Sequence, residues 1–317
     1  MSLSGDPGKA PSADAHTAGL PVEFSERASR REIPPPRGFT RSAVFEMLST
    51  IELDGVRPVE LGPYLTEDFE RFLITLHLVG NASGRALEIG ANPYYITVLL
   101  KEFTDLDVRL TNCFDPTVSG SGIQVVQYHS AITGGLRSES MEFEHVNVES
   151  QPLPFPSESM DTALFCEVIE HLIMDPVAAL LELHRVLKPG GQLIVSTPNV
   201  ARLENVARLT AGANLYDPYS GHGAYGRHNR EYTRHELVHL LKFCGFDVPD
   251  HFTADVHAHD AARYLDVARL AELLAHRRED LGQYLFCRAV KAGPAVGGRP
   301  AELYRSVPHH ELVPLYS

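Results

Sequence analysis

The sequence predicts an α/β fold built on a mostly parallel sheet with helices on both faces. Two observations carry that prediction. β-rich apolar runs at residues 86–89, 107–114, 160–165 and 192–196 alternate with amphipathic segments at 95–103 and 177–186, and such βαβ alternation folds as parallel strands joined by crossover helices. Composition agrees, since 44% hydrophobic and 22% charged residues over 317 positions are ordinary for a globular protein that buries a full core.

Each further element has its own signal. Helical periodicity at 42–51 and 66–79, the second opening on Thr66-Glu-Asp and closing before Gly80 and Asn81, predicts two helices ahead of the main sheet. Downstream, 236–244 reads as a helix closed by Gly245 and 282–290 as a late strand, with a His-rich, mostly helical stretch over 251–276 between them. Residues 1–38 are rich in Ser, Ala, Pro, Gly and charge and end in Ile33-Pro-Pro-Pro-Arg37. They predict a flexible extension that buries too little apolar surface to offset chain entropy. A single catalytic domain over 39–291 and a tail over 292–317 complete the organisation, with Leu303, Tyr304, Leu312, Leu315 and Tyr316 available to clamp the tail.

Charge narrows the partners. With 28 Lys and Arg against 41 Asp and Glu, the formal charge is −13, which disfavours a surface made to hold phosphate backbones. A small or neutral acceptor is expected instead of a nucleic acid. The four cysteines, at 113, 166, 244 and 287, form no close pair and read as reduced core residues of a cytoplasmic protein. No apolar stretch near the start suits a signal or a membrane span. Whether the protein forms a homodimer is left open.

In an open parallel sheet, ligands sit beyond the C-terminal ends of the strands, where the first strand turns into its helix. Here Ala86-Leu-Glu-Ile-Gly-Ala-Asn-Pro-Tyr-Tyr95 enters a turn at Gly90, whose missing Cβ lets a nucleoside approach the backbone. The segment resembles motif I of class I S-adenosylmethionine-dependent methyltransferases. Asn92 and Tyr94 stand where further glycines are usual, and asparagine tolerates left-handed backbone better than most residues. Three more stretches extend the resemblance over roughly 86–248: Phe114-Asp115-Pro116, Val146-Asn-Val-Glu through Phe165, and Leu187-Lys-Pro-Gly-Gly-Gln-Leu-Ile-Val-Ser196. The resemblance implies a Rossmann-like fold with a mostly parallel seven-stranded sheet and S-adenosylmethionine as donor. It also implies donor contacts: Glu88 for the amino-acid part, Gly90 and Asn92 in the turn, Asp115 for the ribose hydroxyls, Asn147 or Glu149 for the adenine amino group, and Cys166 at the end of the fourth strand.

That fourth strand runs into Phe165-Cys-Glu167-Val-Ile-Glu170-His171. If the chain enters a helix at Glu167, the i, i+3 and i+4 positions gather Glu167, Glu170 and His171 on one face. Two carboxylates and an imidazole crowded together desolvate badly without a cation. Glu-x-x-Glu-His resembles the metal motif of small-RNA 2′-O-methyltransferases and ubiquinone-pathway O-methyltransferases. In the RNA enzymes a further histidine arrives just before an aromatic-Thr-Arg-x-Glu helix start, which Gly226-Arg-His228-Asn-Arg-Glu-Tyr232-Thr233-Arg-His-Glu236 resembles. His228 is thereby implied as the fourth ligand, and the two oxygens and two nitrogens suit Mg²⁺ first, with Mn²⁺ or Fe²⁺ as alternatives. The bland alternative is two solvated helix-start acids with both histidines as loop contacts.

A divalent ion would stabilise the alkoxide of a hydroxyl whose own pKa lies far above 7. The base is either His222 or a metal-bound hydroxide. The segment 197–232 reads as an acceptor lid in which Tyr216, Tyr219 and Tyr225 suit carbohydrate rings. Its Asn-Arg-Glu-Tyr-Thr run is similar to lids of methyltransferases acting on sugars in polysaccharide assembly, those of methylmannose polysaccharide synthesis among them. The resulting expectation is a metal-assisted sugar or oligosaccharide O-methyltransferase. A phenolic or quinone precursor, an RNA 2′-hydroxyl, and a non-catalytic donor-binding protein with Tyr94 plugging the turn are the alternatives.

Overall fold

A computed structural model of the chain describes residues 33–54, 61–115, 117–221 and 223–315. In chain order the elements are α1 (Arg41–Ser49), β1 (Glu52–Leu53), α2 (Leu61–Val79), β2 (Ser83–Ile89), α3 (Tyr95–Phe103), β3 (Asp105–Asn112), β4 (Gly120–His129), β5 (Leu136–His145), β6 (Met160–Cys166), α4 (Pro176–Val186), β7 (Leu187–Pro198), α5 (Leu203–Thr210), α6 (Arg234–Phe243), β8 (Phe246–Ala254), α7 (Val267–Leu273), β9 (Tyr284–Lys291), β10 (Arg299–Pro300) and β11 (Leu312–Val313). The main sheet has nine strands in the order β1-β4-β5-β3-β2-β6-β7-β9-β8. Strands β5, β3, β2, β6 and β7 pair in parallel, and β9 lies antiparallel between β7 and β8. From β2 the chain moves to β3 on one side, and β6 later pairs with the other side of β2. Strand order therefore reverses at β2, the place where such sheets open a ligand crevice.

The α/β expectation holds, with two strands more than the seven expected. The additions are β1 and β4, and β4 forms an antiparallel hairpin with β5 in a stretch where the sequence reading assigns no element. Two contacts explain the hairpin. A Cβ at Gly122 would lie 2.4 Å from the Phe143 ring, so glycine lets that ring lie across the paired strand. Glu102 of α3, buried, accepts hydrogen bonds from the Ser130 and Tyr128 hydroxyls and from the Ile132 amide, which pins the hairpin turn to the helix.

Apolar side chains fill both sides of the sheet. One cluster gathers residues of α1, α2 and α3, among them Val44, Leu65, Phe72 and Leu99, and the other gathers α4 and α6 through Leu180, Leu183, Leu237 and Leu241. Helix α2 starts at Leu61 rather than Thr66, since Pro63 is tolerated in a first turn where no intrahelical N–H bond is lost. In the His-rich stretch, residues 251–254 belong to β8 and only α7 and short 3₁₀ turns follow. The Thr233 hydroxyl caps α6 by accepting from the Glu236 amide, as its spacing predicts.

At the termini the outcomes divide. Residues 1–32 lie outside the described residues, and Ile33 is buried, its carbonyl held by Arg41. The tail folds back onto its own domain: Tyr304 donates to Asp175 at 2.6 Å, Arg299 pairs with the same carboxylate, and Leu315 is buried. Tyr316 lies outside the described residues. Cys244 and Cys287 are buried as expected, but Cys113 is exposed because β3 has ended before it. No described helix is long and apolar enough to cross a membrane.

The turn after β2 departs from expectation. Gly90 (φ 70°) and Tyr94 (φ 72°) take the left-handed conformation, and Asn92 does not. Tyr94 caps α3 in this unusual state because its ring is fully buried and its hydroxyl is shared between Gln124 of β4, 2.6 Å away, and the Asn112 amide at 3.1 Å. The extra strand thus fixes the tyrosine. Replacing Tyr94 with Gly relieves the backbone but empties a core position, so we expect a net loss of about 3–5 kcal/mol in urea unfolding. A neutral or stabilising outcome would show that backbone strain dominates there.

Candidate active site

Strand ends supply the groups of the crevice. Two cavities flank Gly90. The first is lined by Tyr64, Arg71, Glu88, Gly90, Cys166 and Glu167, and the second by Asn112, Cys113, Asn147, Glu167, His171 and Tyr225. Gly90 is needed where they meet, since a Cβ there would stand 3.0 Å from Val168 on a left-handed backbone. Glu88, Gly90, Asn92, Asn147 and Cys166 therefore line the crevice.

Two other predicted donor contacts stand differently. Asp115 lies past the end of β3, exposed and bonded to the Thr117 hydroxyl and amide, which hold its carboxyl below the usual range. Glu149 is buried with its carboxylate spent on the Ile173, Met174 and Asp175 amides, so it anchors the loop before α4. Tyr225, read from sequence as an acceptor contact, lines the second cavity and bridges this acid to Asn147, with hydrogen bonds of 3.0 and 3.1 Å. Tyr216 and Tyr219 are 88% and 94% exposed, with the Arg227 guanidinium 5.4 Å from the Tyr219 ring centre. His222 lies outside the described residues.

The expected helix at Glu167 does not form. The Glu167 amide donates to the Ser196 carbonyl, continuing the β6–β7 ladder by one residue, and its φ of 56° then turns the chain. Only a 3₁₀ turn at Ile169–His171 follows. The Glu167 carboxylate consequently accepts from the Ser196 hydroxyl at 2.8 Å and lines both cavities.

The other three predicted ligands do converge. One ligand atom each from Glu170, His171 and His228 lies within 4.8 Å of the others. Glu170 is fully buried; its Oε2 accepts from the Thr197 hydroxyl at 2.9 Å, and its Oε1 has no hydrogen-bond partner. Nδ1 of His171 faces the Arg227 carbonyl at 3.1 Å and Nδ1 of His228 faces Glu231 at 3.1 Å. In the neutral rings each acceptor favours the proton on Nδ1, which makes Nε2 the nitrogen that carries the lone pair. The strand end and the loop are stapled together by the Asn229 and Arg230 amides, which donate to the Glu170 carbonyl, and by the Asn229 side chain, which donates to the His171 carbonyl.

Burial sets the charges. It pushes Glu88 up to about 8, opposed in part by the Thr97 hydroxyl. Desolvation likewise raises Glu167 against the pull of Arg71, and raises Glu170. His171 is lowered by burial and by its histidine neighbour. His228 loses by burial but gains more from Glu231 and Glu170, and ends raised.

Sequence reading missed Arg71, Thr197 and Glu231. For Arg71 a signal existed: Asp68 and Arg71 stand at i, i+3 on a helix face otherwise occupied by Leu65, Phe72 and Leu76, and all five are buried.

Over part of its length the chain is similar to known methyltransferases. Residues 87–195 match the family model described as a methyltransferase domain. The chain is 33% identical over 127 residues to a probable S-adenosylmethionine-dependent methyltransferase of Mycolicibacterium smegmatis, covering 39% of this chain and 43% of that protein. It is 29% identical over 128 residues to a ubiquinone biosynthesis O-methyltransferase of Cereibacter sphaeroides, covering 40% of this chain and 48% of the relative. The matches thus span less than half the length of these curated relatives. Among solved structures, a SAM dependent methyltransferase from Archaeoglobus fulgidus aligns over 72% of this chain and 99% of its own, at 16% identity and a TM-score of 0.44. The family match covers the stretch from β2 to β7, the parallel centre of the sheet.

Proposed function

We propose that this protein is an S-adenosylmethionine-dependent O-methyltransferase that uses a divalent cation, Mg²⁺ in the first instance, to methylate a hydroxyl of a sugar or oligosaccharide. The observation that carries the metal is the unpartnered, buried Oε1 of Glu170 beside two imidazoles whose other nitrogens are already committed. An oxygen and two nitrogens of this kind fit a cation with open positions, and Glu231 behind His228 is the usual supporting carboxylate. Glu170, His171 and His228 would hold the ion, and Glu167 stands next along the same turn. Once bound, the ion would stabilise the negative charge that develops on an acceptor hydroxyl.

The remaining work falls to the chain. Methyl transfer breaks the carbon–sulfur bond of the sulfonium and forms a carbon–oxygen bond, while the acceptor oxygen gives up its proton. The protein must therefore align three atoms and exclude water. In our reading the donor lies across Gly90, its nucleoside in the cavity of Asn147 and Tyr225 and its amino-acid end in the cavity of Glu88. The segment 224–230 then has two roles, because Tyr225 covers the nucleoside side and His228 completes the cation set.

For the acceptor, Tyr216 and Tyr219 on the loop beyond offer faces for a sugar ring. A catechol-like precursor is the second reading, favoured by the similarity to the ubiquinone-pathway enzyme of Cereibacter sphaeroides. Vicinal hydroxyls are common to both acceptors. Screening methylated sugars and catechols against chelated and Mg²⁺-restored protein separates them, and full turnover in chelated protein would remove the metal from the account.

Two substitutions test the site. Glu170→Gln should lower transfer at least 100-fold while S-adenosylhomocysteine binding, read by calorimetry, stays within about threefold; equal loss of both would indicate a fold defect. Glu231→Gln should weaken Mn²⁺ binding by about 10–100-fold through loss of His228 orientation. Unaltered Mn²⁺ affinity would make Glu231 a bystander.

A further inference from the structure

The loop that delivers His228 is closed at its base by one guanidinium. Past β7 the chain turns at Asn199 and enters α5, and it returns over residues 228–232 ahead of α6. These two stretches lie side by side: Asn199 and Tyr232 form a parallel bridge, and the Val200 amide donates to the Tyr232 carbonyl at 3.0 Å. Arg202, the residue before α5, fastens them through its side chain. Its Nη1 donates to Oε2 of Glu231 at 2.5 Å and to the Asn199 carbonyl at 2.9 Å, and its Nε stands 3.6 Å from Oε2 of Glu204. The side chains of Arg202, Glu231 and Glu204 are only 18%, 14% and 13% exposed, so water screens these pairs little.

Glu231 is thereby held by both oxygens. Oε1 faces Nδ1 of His228 at 3.1 Å and Oε2 takes Arg202. A carboxylate can orient an imidazole only as well as it is itself oriented, and a free glutamate side chain loses up to about 2 kcal/mol of rotamer entropy on being fixed. The planar guanidinium fork removes that freedom in advance. Arg202 is anchored in turn from its other side. Glu204, beside it, accepts through Oε1 from the Asp260 amide and the Gln283 side chain, both at 3.1 Å. The guanidinium therefore stands between a carboxylate that serves His228 and one rooted in the segment that joins β8 to β9.

We propose that Arg202 is a positioning residue of the cation site: it fixes Glu231, which fixes the His228 ring, so that closing the base of the 203–227 segment and completing the ligand set are one event. This role rests on the cation reading given above. It places part of the control of cation affinity outside the matched stretch of 87–195, on a residue that reaches His228 through Glu231.

Mn²⁺ is the probe, its affinity read by electron paramagnetic resonance on the full chain. The proteins compared are wild type, Arg202→Met, Arg202→Lys, Glu231→Gln and the double variant Arg202→Met/Glu231→Gln, which removes the paired charges together. Arg202→Met should weaken Mn²⁺ by about 10-fold, the lower end of the cost of losing a ligand's outer partner, while S-adenosylhomocysteine affinity stays within about threefold by calorimetry. Arg202→Lys, which keeps the charge and loses the fork, should fall between. The double variant should bind Mn²⁺ within about twofold of Glu231→Gln alone, because the two residues act in one line. Fully additive losses in the double variant would overturn the path through Glu231, and unaltered Mn²⁺ affinity in Arg202→Met would overturn the role outright. Parallel loss of Mn²⁺ and S-adenosylhomocysteine binding would also overturn it, marking Arg202 as a residue of the fold alone. Failure of wild type to bind Mn²⁺ would overturn the cation reading itself.

Discussion

A buried carboxyl oxygen with no partner is the constraint around which this site is arranged. Leaving such a group unsatisfied costs about 1–3 kcal/mol, more if it is charged, so the fold must either protonate it or offer it a cation. On the proposed reading, the surroundings of Glu170 suit the second outcome. Thr197 occupies one oxygen, two imidazoles present lone pairs beside the other, and the Glu170 carbonyl is used to hold the loop that delivers His228. Without an ion, burial keeps the acid's proton affinity high. The same burial strengthens any electrostatic interaction formed there.

That arrangement also explains why the loop after β7 matters as a unit. It is tied to the 3₁₀ turn by hydrogen bonds from Asn229 and Arg230, and to the nucleoside-side cavity by Tyr225 through Asn147 and Glu149. Glu149 in turn holds the backbone of residues 173–175, directly after the turn that carries Glu170 and His171. Glu149, one of two side chains the sequence offers for adenine, thus joins the two halves of the site. Polar networks of this kind are valuable only when every member is satisfied, and both Glu149 oxygens are.

The sheet, its strand ends and the methyltransferase resemblance were legible because they rest on local signals: apolar alternation, the Gly90 turn and the Lys-Pro-Gly-Gly run. Of the four residues the sequence gathers around a cation, Glu170, His171 and His228 converge, although the helix invoked for the first two does not form. What escaped depends on contacts between distant segments. The β4–β5 hairpin needs Gly122 against Phe143 and Glu102 under the Ser130 turn, and no local pattern joins those residues. Arg71 carried a local signal in its pairing with Asp68 on a buried helix face, but its place in the cavity is visible only once α2 lies against α3, β7 and β9. Asp115 stands apart, since β3 stops at Asn112 and the acid lies exposed, bonded to Thr117.

The two residues that broke the local rules most sharply are Tyr94 and Glu167, both non-glycine residues in left-handed backbone at strand ends lining or bordering the crevice. Such conformations cost about 1–3 kcal/mol each and persist only where the surroundings over-determine them. Tyr94 is held by Gln124 and Asn112, Glu167 by the Ser196 carbonyl and hydroxyl. Had Glu167 continued into a helix, its carboxylate would have followed the periodicity toward Glu170 and His171. The left-handed turn sends it back between the two cavities, within the field of Arg71. The strain therefore separates two jobs that the sequence pattern merges: Glu170 is left with the histidines, and Glu167 is kept where both halves of a donor laid across Gly90 would meet.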